Sequence, residues 1–208
     1  MITSGLEDRV WSKKPLQSLS DTELVQRAQI LASETDGRSQ AVGELYDRYH
    51  EDIFRYIWAR VSNLQLAEDL TGDVFIRMVI NLPKYRPSGA PFATWLYRIA
   101  RNLVVDHHRK AANRYEVLPI ESADYLSEND QSIPDVVEDQ IFIEQAKNAI
   151  VTLKPASQDV VILRFLVGLP LQDVADILGK SVGSIKVTQH RALKELRVIL
   201  DGASGEES

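Results

Sequence analysis

The sequence contains no cysteine, and it has no apolar run near the roughly 20 residues that a membrane-spanning helix needs. The missing cysteines exclude disulfide bonds, thiol catalysis and cysteine-ligated zinc. The N-terminus also lacks the basic, apolar and small-residue segments of a secretory signal peptide. These absences predict a cytoplasmic protein without membrane insertion, and no motif indicates a bound metal or another cofactor.

Basic residues are missing from one segment of the chain. Residues 116–145 hold nine Asp and Glu and no Lys or Arg, whereas residues 1–115 hold 16 basic and 14 acidic residues. The formal net charge of −6 is therefore concentrated in the middle of the chain, and it does not exclude nucleic-acid binding by the flanking parts. With Pro119, Pro134 and several serines, the composition predicts a flexible acidic linker over residues 115–138.

Alternating apolar and polar residues are also absent, so we predict no strand; apolar residues instead recur at helical spacing. Ser20 and Glu23 form a capping box before a first helix. After a polar break at residues 34–39, a stripe over residues 42–57 predicts a second helix, and a third is predicted over residues 67–82. The fold expected is all-α, with two small helical domains on the acidic linker. The expected divisions are a mobile N-terminal segment 1–19, domains 20–114 and 139–201, and a polar tail 202–208.

Residues 171–196 predict a short helix, a glycine turn and a longer basic helix. Gly179 can end the first helix in a left-handed conformation, and Ser181 can cap the second. The residues predicted to face inward from the second helix are Ile185, Ala192, Leu193 and Leu196, and those predicted to face outward are Lys186, His190, Arg191, Lys194 and Arg197. This is the pattern of a helix-turn-helix, whose second helix fits the DNA major groove. The alternative is a helical hairpin with a solvated basic face.

Another helix, predicted from Phe92 to about Ala112, carries polar residues away from its apolar side. These residues are Arg98, Arg101, Asn102 and Arg109. Lys84, Tyr85 and Arg86 precede the helix, and Trp95 and Tyr97 lie among its cations. Cations that follow phosphates and aromatic rings that stack on bases suit single-stranded DNA. Alternatively, Trp95 and Tyr97 are core or boundary aromatics, an interpretation that we favour for Trp95.

Three segments in this order resemble bacterial extracytoplasmic-function sigma factors. They are AEDLTGDVFIRM (67–78), FATWLYRIARNLVVDHHRK (92–110) and the helix-turn-helix. The likeness extends from about residue 20 to residue 200. It implies a non-enzymatic transcription initiation factor that binds core RNA polymerase and directs it to promoters. In this family the N-terminal domain opens and reads the −10 element, and the C-terminal domain reads the −35 element.

The resemblance also implies roles for individual residues. Contacts with single-stranded DNA at −10 fall on Tyr85, Arg86, Arg98, Arg101, Asn102 and Arg109, with Tyr85 and Asn102 helping to hold a flipped base. Contacts at −35 fall on Ser181, Lys186, Val187, His190, Arg191 and Lys194. The polymerase-binding helix carries Glu68, Asp69, Asp73, Val74 and Arg77. Gly72, Asp73, Val187 and Thr188 depart from the residues more common in the family, so the resemblance by itself does not assign contacts at these positions.

The partners that the resemblance implies are core RNA polymerase, promoter DNA and an anti-sigma factor. On the polymerase, the expected contacts are the coiled coil of the largest subunit and the flap region. In the family, the segment between the domains threads through the polymerase's nucleic-acid channel. An acidic run could occupy a positively charged channel and be displaced by nascent RNA. A merely solvated tether is the alternative for this linker.

Two other functions compete with this interpretation. Asp106, His107 and His108 superficially resemble the metal motif of DHH-type phosphoesterases. Adjacent histidines on a helix, however, point about 100° apart, and no strand is predicted to supply further ligands. The second competitor is a helix-turn-helix regulator that acts without polymerase. Such a dimer would bind a palindrome alone, whereas a sigma factor with an acidic linker should bind DNA weakly without polymerase.

Overall fold

The computed structural model describes residues 15–30, 35–87, 89–117, 145–146 and 148–203, and these form helices and connecting turns without a strand. The N-terminal domain has α1 (Asp21–Ile30), α2 (Thr35–Val61), α3 (Leu64–Asn81) and α4 (Phe92–Val117), with short 3₁₀ helices at Leu16–Ser18 and Leu82–Lys84. The C-terminal domain has α5 (Pro155–Val161), a π-helical continuation (Ile162–Leu166), α6 (Leu171–Leu178) and α7 (Val182–Ala203). Most of the predicted linker and the ends of the chain, residues 118–138, 1–14 and 204–208, lie outside the described residues.

The capping box at the start of α1 forms as predicted. The Ser20 N–H donates to the Glu23 carboxylate at 2.7 Å, and the Glu23 N–H donates to the Ser20 hydroxyl at 3.3 Å. Just before it, Leu19 is buried, and Arg48 of α2 donates to the carbonyls of Leu16 and Gln17 at 3.2 Å. Residues 15–19 are therefore packed against the domain. The prediction of a mobile segment over residues 1–19 is wrong for these five residues.

Three helix boundaries differ from those predicted. The second helix, α2, begins at Thr35, so residues 35–39 of the predicted break are helical. The third, α3, begins at Leu64, where the Asn63 side chain accepts a hydrogen bond from the Leu66 N–H at 2.8 Å. Helix α4 continues to Val117. Each helix extends beyond its apolar stripe because adding a residue to an anchored helix costs far less than starting one.

The core of the N-terminal domain lies where α2 packs against α1, α3 and α4. Its fully buried residues include Leu45, Ile53, Ile57, Met78 and Leu96. Tyr97 also lies here, with its ring 5.6 Å from that of Tyr56 in an edge-to-face contact. Tyr97 is thus a core aromatic, and the interpretation of Tyr97 as part of a DNA-binding surface is wrong.

The predicted helix-turn-helix is present in the C-terminal domain. Gly179 has a φ of 62° and a ψ of 39°, which is the left-handed conformation that glycine adopts without a steric cost. The Ser181 hydroxyl then accepts a hydrogen bond from the Ser184 N–H at 3.2 Å, capping α7. Both α5 and α6 pack on α7, so the second helix of the motif is held on a helical scaffold.

The two domains pack against each other. Helix α6 lies on α4, and the π-helical segment lies on α2. Val174, Ala175 and Ile177 of α6 belong to the same apolar cluster as the core of the N-terminal domain. A separate cluster, which includes Leu153, Ala192 and Leu196, lies within the C-terminal domain. The interface between the domains therefore has an apolar centre.

Candidate nucleic-acid interface

A cavity of about 300 Å³ opens between the loop after α3 and the start of α4. It is lined by Lys84, Tyr85, Arg86, Ala90, Pro91, Thr94, Trp95 and Arg98. The lining thus combines three cationic side chains with two aromatic rings. A volume of this size is at the lower end of the range for small-molecule sites, and the lining has the chemistry that suits a base and its phosphates.

The aromatic wall of this cavity is a cluster of three rings. The Tyr85 ring lies 4.8 Å from that of Trp95 and 5.4 Å from that of Phe92. Trp95 is half-buried, so it is a boundary residue as favoured from the sequence, and it also faces the cavity. Burial raises the pKa of Tyr85, with a smaller contribution from the charge of Asp21. The Tyr85 hydroxyl therefore stays neutral at physiological pH.

The loop that carries Tyr85 is held by a residue from α1. The Gln29 side-chain amide donates to the Leu82 carbonyl at 2.8 Å and to the Tyr85 carbonyl at 2.9 Å. Sequence reasoning missed Gln29, because its partners lie 53 and 56 residues away. No local pattern indicates a contact of that separation.

The polar residues predicted on the outer side of α4 divide into two groups. Asn102 and Arg109 are exposed, and Arg109 lies 3.3 Å from the Asp106 carboxylate. Arg98 and Arg101, in contrast, contact the C-terminal domain. The Arg98 guanidinium donates to the Asp176 carbonyl at 2.6 and 2.9 Å, and Arg101 Nε lies 2.9 Å from Asp159 Oδ2. The structure thus brings Arg98 to the cavity, but it turns Arg101 towards an acid of the other domain.

The recognition helix α7 places its predicted DNA-binding residues in solvent. Ser181, Lys186, Val187, His190, Arg191 and Lys194 are all exposed. Ile185 and Ala192 are fully buried, and Leu196 is nearly so. These buried residues hold the opposite side of the helix on the domain, so the cations lie on a surface that a major groove can reach.

Leu193 is exposed, which corrects the prediction that it faces inward. At about 100° per residue, Ala192 and Leu196 lie within about 20° of Ile185 around the helix, whereas Leu193 is rotated by about 80°. Gln189 is half-buried, and its side-chain oxygen is enclosed without a hydrogen-bond partner in the described part of the chain. The inward side of α7 is therefore narrower than the sequence pattern suggested.

Comparison with known proteins identifies the two domains. Residues 45–114 match the model of Sigma-70 region 2, and residues 149–198 match that of Sigma-70, region 4. The ECF RNA polymerase sigma factor SigD of Mycobacterium tuberculosis is 33% identical over 177 residues, covering 81% of this chain and 81% of SigD. The chain belongs to the ECF RNA polymerase sigma factors. The family and the all-α, two-domain fold predicted from the sequence are confirmed.

Other relatives agree with this assignment. The ECF sigma factor BldN of Streptomyces coelicolor is 38% identical over 178 residues, which cover 86% of this chain and 65% of BldN. The match thus spans slightly less than two thirds of that relative. Among solved structures, CnrH in complex with the cytosolic domain of CnrY superposes with a TM-score of 0.66 at 21% identity, covering 88% of this chain and 97% of CnrH. That similarity supports the fold.

In this sigma factor, α3 presents the acidic residues predicted to bind polymerase. Glu68, Asp69, Asp73 and Arg77 are exposed. Val74 is fully buried, so its assignment to this surface is wrong: it lies one helical position from Asp73 and faces the core. Two apolar residues on the same helix, Ile76 and Ile80, are 58% and 67% exposed, and of these the sequence reasoning missed Ile80. Their spacing of four residues places them together on one side of α3.

The histidine pair of this sigma factor does not form a metal site in the described residues. The His107 and His108 rings are 5.9 Å apart and inclined by 74°. Across the described ranges, no group of three or more His, Cys, Asp or Glu side chains is placed to hold a metal ion. No described helix is long and apolar enough to cross a membrane.

Proposed function

We propose that this sigma factor binds core RNA polymerase and directs it to promoters, reading the −10 element with its N-terminal domain and the −35 element with its C-terminal domain. One observation carries the proposal: a single chain bears two surfaces of different chemistry. An aromatic and cationic cavity suits an unstacked base, and an exposed recognition helix suits duplex DNA. A promoter that opens presents both a separated strand with unstacked bases and an intact duplex.

At the −10 element, we propose that the cavity next to Tyr85 and Trp95 takes a base flipped from the opened strand. Asn102 is exposed on the same helix as Trp95 and can hydrogen-bond to a base edge. Arg86, Arg98, Arg101 and Arg109 contact phosphates or base edges around it. Stacking and phosphate contacts together then stabilise the separated strand.

At the −35 element, we propose that α7 enters the major groove. Lys186, His190 and Arg191 donate hydrogen bonds to base edges or phosphates, and Lys194 contacts a phosphate. The Ser181 cap places the first turn of the helix, and the exposed Val187 side chain makes apolar contacts, for example with a thymine methyl group.

We propose that the exposed acids of α3 and Arg77 dock on the coiled coil of the polymerase's largest subunit, and that the C-terminal domain contacts the flap region. The protein then acts in the cytoplasm, where core polymerase works. An anti-sigma factor is a further proposed partner, since the sigma factor RpoE, 22% identical, was solved in complex with the anti-sigma factor NepR from Bartonella quintana. Sigma factors are not a class of enzymes.

Run-off transcription with core polymerase, followed by start-site mapping, tests this function. We expect transcripts from a defined set of promoters only when this sigma factor is added. A parallel gel-shift experiment should show weak binding to promoter DNA alone and strong binding with core polymerase. Tight binding to a palindrome without polymerase would instead indicate a self-sufficient regulator, and the proposal would be wrong.

A further inference from the structure

A buried threonine lines the cavity between the loop after α3 and the start of α4. Thr94 is 2% exposed, and it is one of the residues that form the cavity wall. Thr71 on α3 is equally buried, but its hydroxyl donates to the Ala67 carbonyl at 2.7 Å. Among the described residues, none is hydrogen-bonded to the Thr94 hydroxyl. Thr94 is therefore a polar residue held away from bulk solvent at a place that a ligand can reach.

The position of each threonine in its helix explains this difference. A threonine hydroxyl in a helix can bond to a carbonyl three or four residues earlier, and Thr71 has a complete turn of α3 before it. Helix α4 begins at Phe92, so the residue four positions before Thr94 lies outside the helix. The Pro91 carbonyl, three positions before, accepts the Thr94 N–H at 3.0 Å. A buried hydroxyl without a partner costs free energy, and a ligand in the cavity would remove this cost.

The polar residues of the cavity lie at two depths. The exposed ones are its three cations, Lys84, Arg86 and Arg98. Thr94 is buried, so it lies at the floor of the cavity and the cations lie at its rim. The half-buried rings of Tyr85 and Trp95 stand between them. A base that stacks on these rings therefore directs its edge towards Thr94, and its phosphates stay at the cationic rim.

The cavity presents hydrogen-bond donors rather than acceptors. Arg86 donates to the carbonyls of Pro83 and Tyr85 at 3.3 and 2.9 Å, so these loop carbonyls already accept hydrogen bonds from the protein. The Pro91 carbonyl accepts the N–H of Thr94. None of the described lining residues carries a carboxylate or a side-chain amide. A base edge that offers acceptors is therefore the complement of this lining.

We infer that Thr94 is a specificity-determining residue of this cavity, and that its hydroxyl donates to a carbonyl oxygen on the edge of the captured base. The inference rests on the proposed function, which assigns the cavity to a base flipped from the opened strand. Thymine, cytosine and guanine each carry a carbonyl oxygen, whereas adenine has none. The cavity therefore selects against adenine, and thymine, which carries two carbonyl oxygens, complements the donor lining best.

Binding of single-stranded −10 oligonucleotides to the sigma factor assembled with core polymerase tests the inference, with fluorescence anisotropy as the readout. The captured position is located first, as the one where an abasic site lowers affinity most. That position then carries thymine, adenine or difluorotoluene, which has the shape of thymine without its carbonyl oxygens. The unmodified protein should bind the thymine strand about fivefold more tightly than either of the other two, the range expected for one neutral hydrogen bond.

Three variants assign the preference to the hydroxyl. Thr94→Val keeps the shape of the side chain and removes the hydroxyl, so the preference for thymine over difluorotoluene should fall below about twofold. Thr94→Ser keeps the hydroxyl and should keep most of the preference. Thr71→Val removes the other buried hydroxyl, which is bonded within α3, and should leave the preference unchanged.

Thermal unfolding of the free sigma factor gives a second readout. Thr71→Val should lower Tm, because it removes a satisfied hydrogen bond, whereas Thr94→Val should leave Tm unchanged or raise it. If Thr94→Val lowers Tm as much as Thr71→Val, or if it keeps the full preference for thymine, the inference is wrong. Failure of the proposed function is a separate result: no position of the strand would then be sensitive to an abasic site.

Discussion

The two surfaces proposed to bind DNA differ in how their cations are held. Lys186, His190 and Arg191 on α7 are exposed, and no ion pair joins them to an acid within the described part of the chain. Arg98 and Arg101 on α4 are bonded to the C-terminal domain. Both helices have an apolar and a polar side in the sequence. A cationic side of a helix in the sequence therefore indicates a binding surface, but it does not show whether another part of the protein already contacts that surface.

The cause of this difference lies in the position of each helix. Helix α7 packs on α5 and α6 along one side and meets solvent on the other. Helix α4 packs on α2 and α3 along one side, and α6 covers part of the other. The recognition helix can therefore meet duplex DNA without a rearrangement, whereas Arg98 and Arg101 must first leave their partners in the C-terminal domain.

The largest expected effect comes from removing a buried side chain that anchors the recognition helix α7. Ile185→Ala should lower the free energy of unfolding by about 2–5 kcal/mol, because Ile185 is fully buried and anchors α7. Binding to −35 duplex should fall with it, while binding of a single-stranded −10 oligonucleotide should not fall. Thermal unfolding and fluorescence anisotropy measure the two effects. As a control, Val187→Ala, at a position 51% exposed, should change stability by less than about 0.5 kcal/mol. If Ile185→Ala and Val187→Ala lower the free energy of unfolding equally, Ile185 does not anchor α7.

An intermediate effect tests whether an exposed residue of α7 contacts a base or a phosphate. Arg191→Ala should reduce promoter-specific binding of the polymerase complex by about 1–3 kcal/mol if Arg191 reads a base. The measurement compares affinity for promoter and scrambled −35 sequences at several salt concentrations. Discrimination should fall at the contacted base pair. A uniform loss across all sequences, with a shallower salt dependence, would assign Arg191 to a phosphate instead.

The smallest expected effect concerns the cavity. Gln29→Leu removes the donor of two hydrogen bonds that hold the Tyr85 loop, and it should weaken capture of a flipped base by about 0.5–1.5 kcal/mol, since water can partly replace the amide. A 2-aminopurine base in the −10 strand reports this capture by its fluorescence. Gln26→Leu, an exposed position on the same helix, is the matched control. If both variants behave alike, Gln29 does not position the loop.

Local sequence patterns predicted much of the structure correctly. The Ser20–Glu23 capping box, the left-handed Gly179 and the Ser181 cap each depend on residues within a few positions, and each is present. Two predictions are wrong, one because a helical pattern was extended beyond its phase and one because a role was carried over from the family resemblance. Leu193 is predicted on the inward-facing stripe of α7, but it is rotated away from that stripe and is exposed. Val74 is predicted on the polymerase-binding surface of α3, but its side chain is buried in the core.

The sequence by itself determined the helices, the helix-turn-helix and the family, because helical periodicity, caps and turn residues act over a few positions. Only the tertiary structure decided which cations are free. Asp159 meets Tyr56 and Arg101 across 103 and 58 residues, and Gln29 meets the Tyr85 loop across 56. Contacts at such separations depend on how whole helices pack. That packing is selected by the free energy of burying apolar surface and of pairing buried charges. Both contributions depend on residues far apart in the chain, so no short stretch of sequence encodes them.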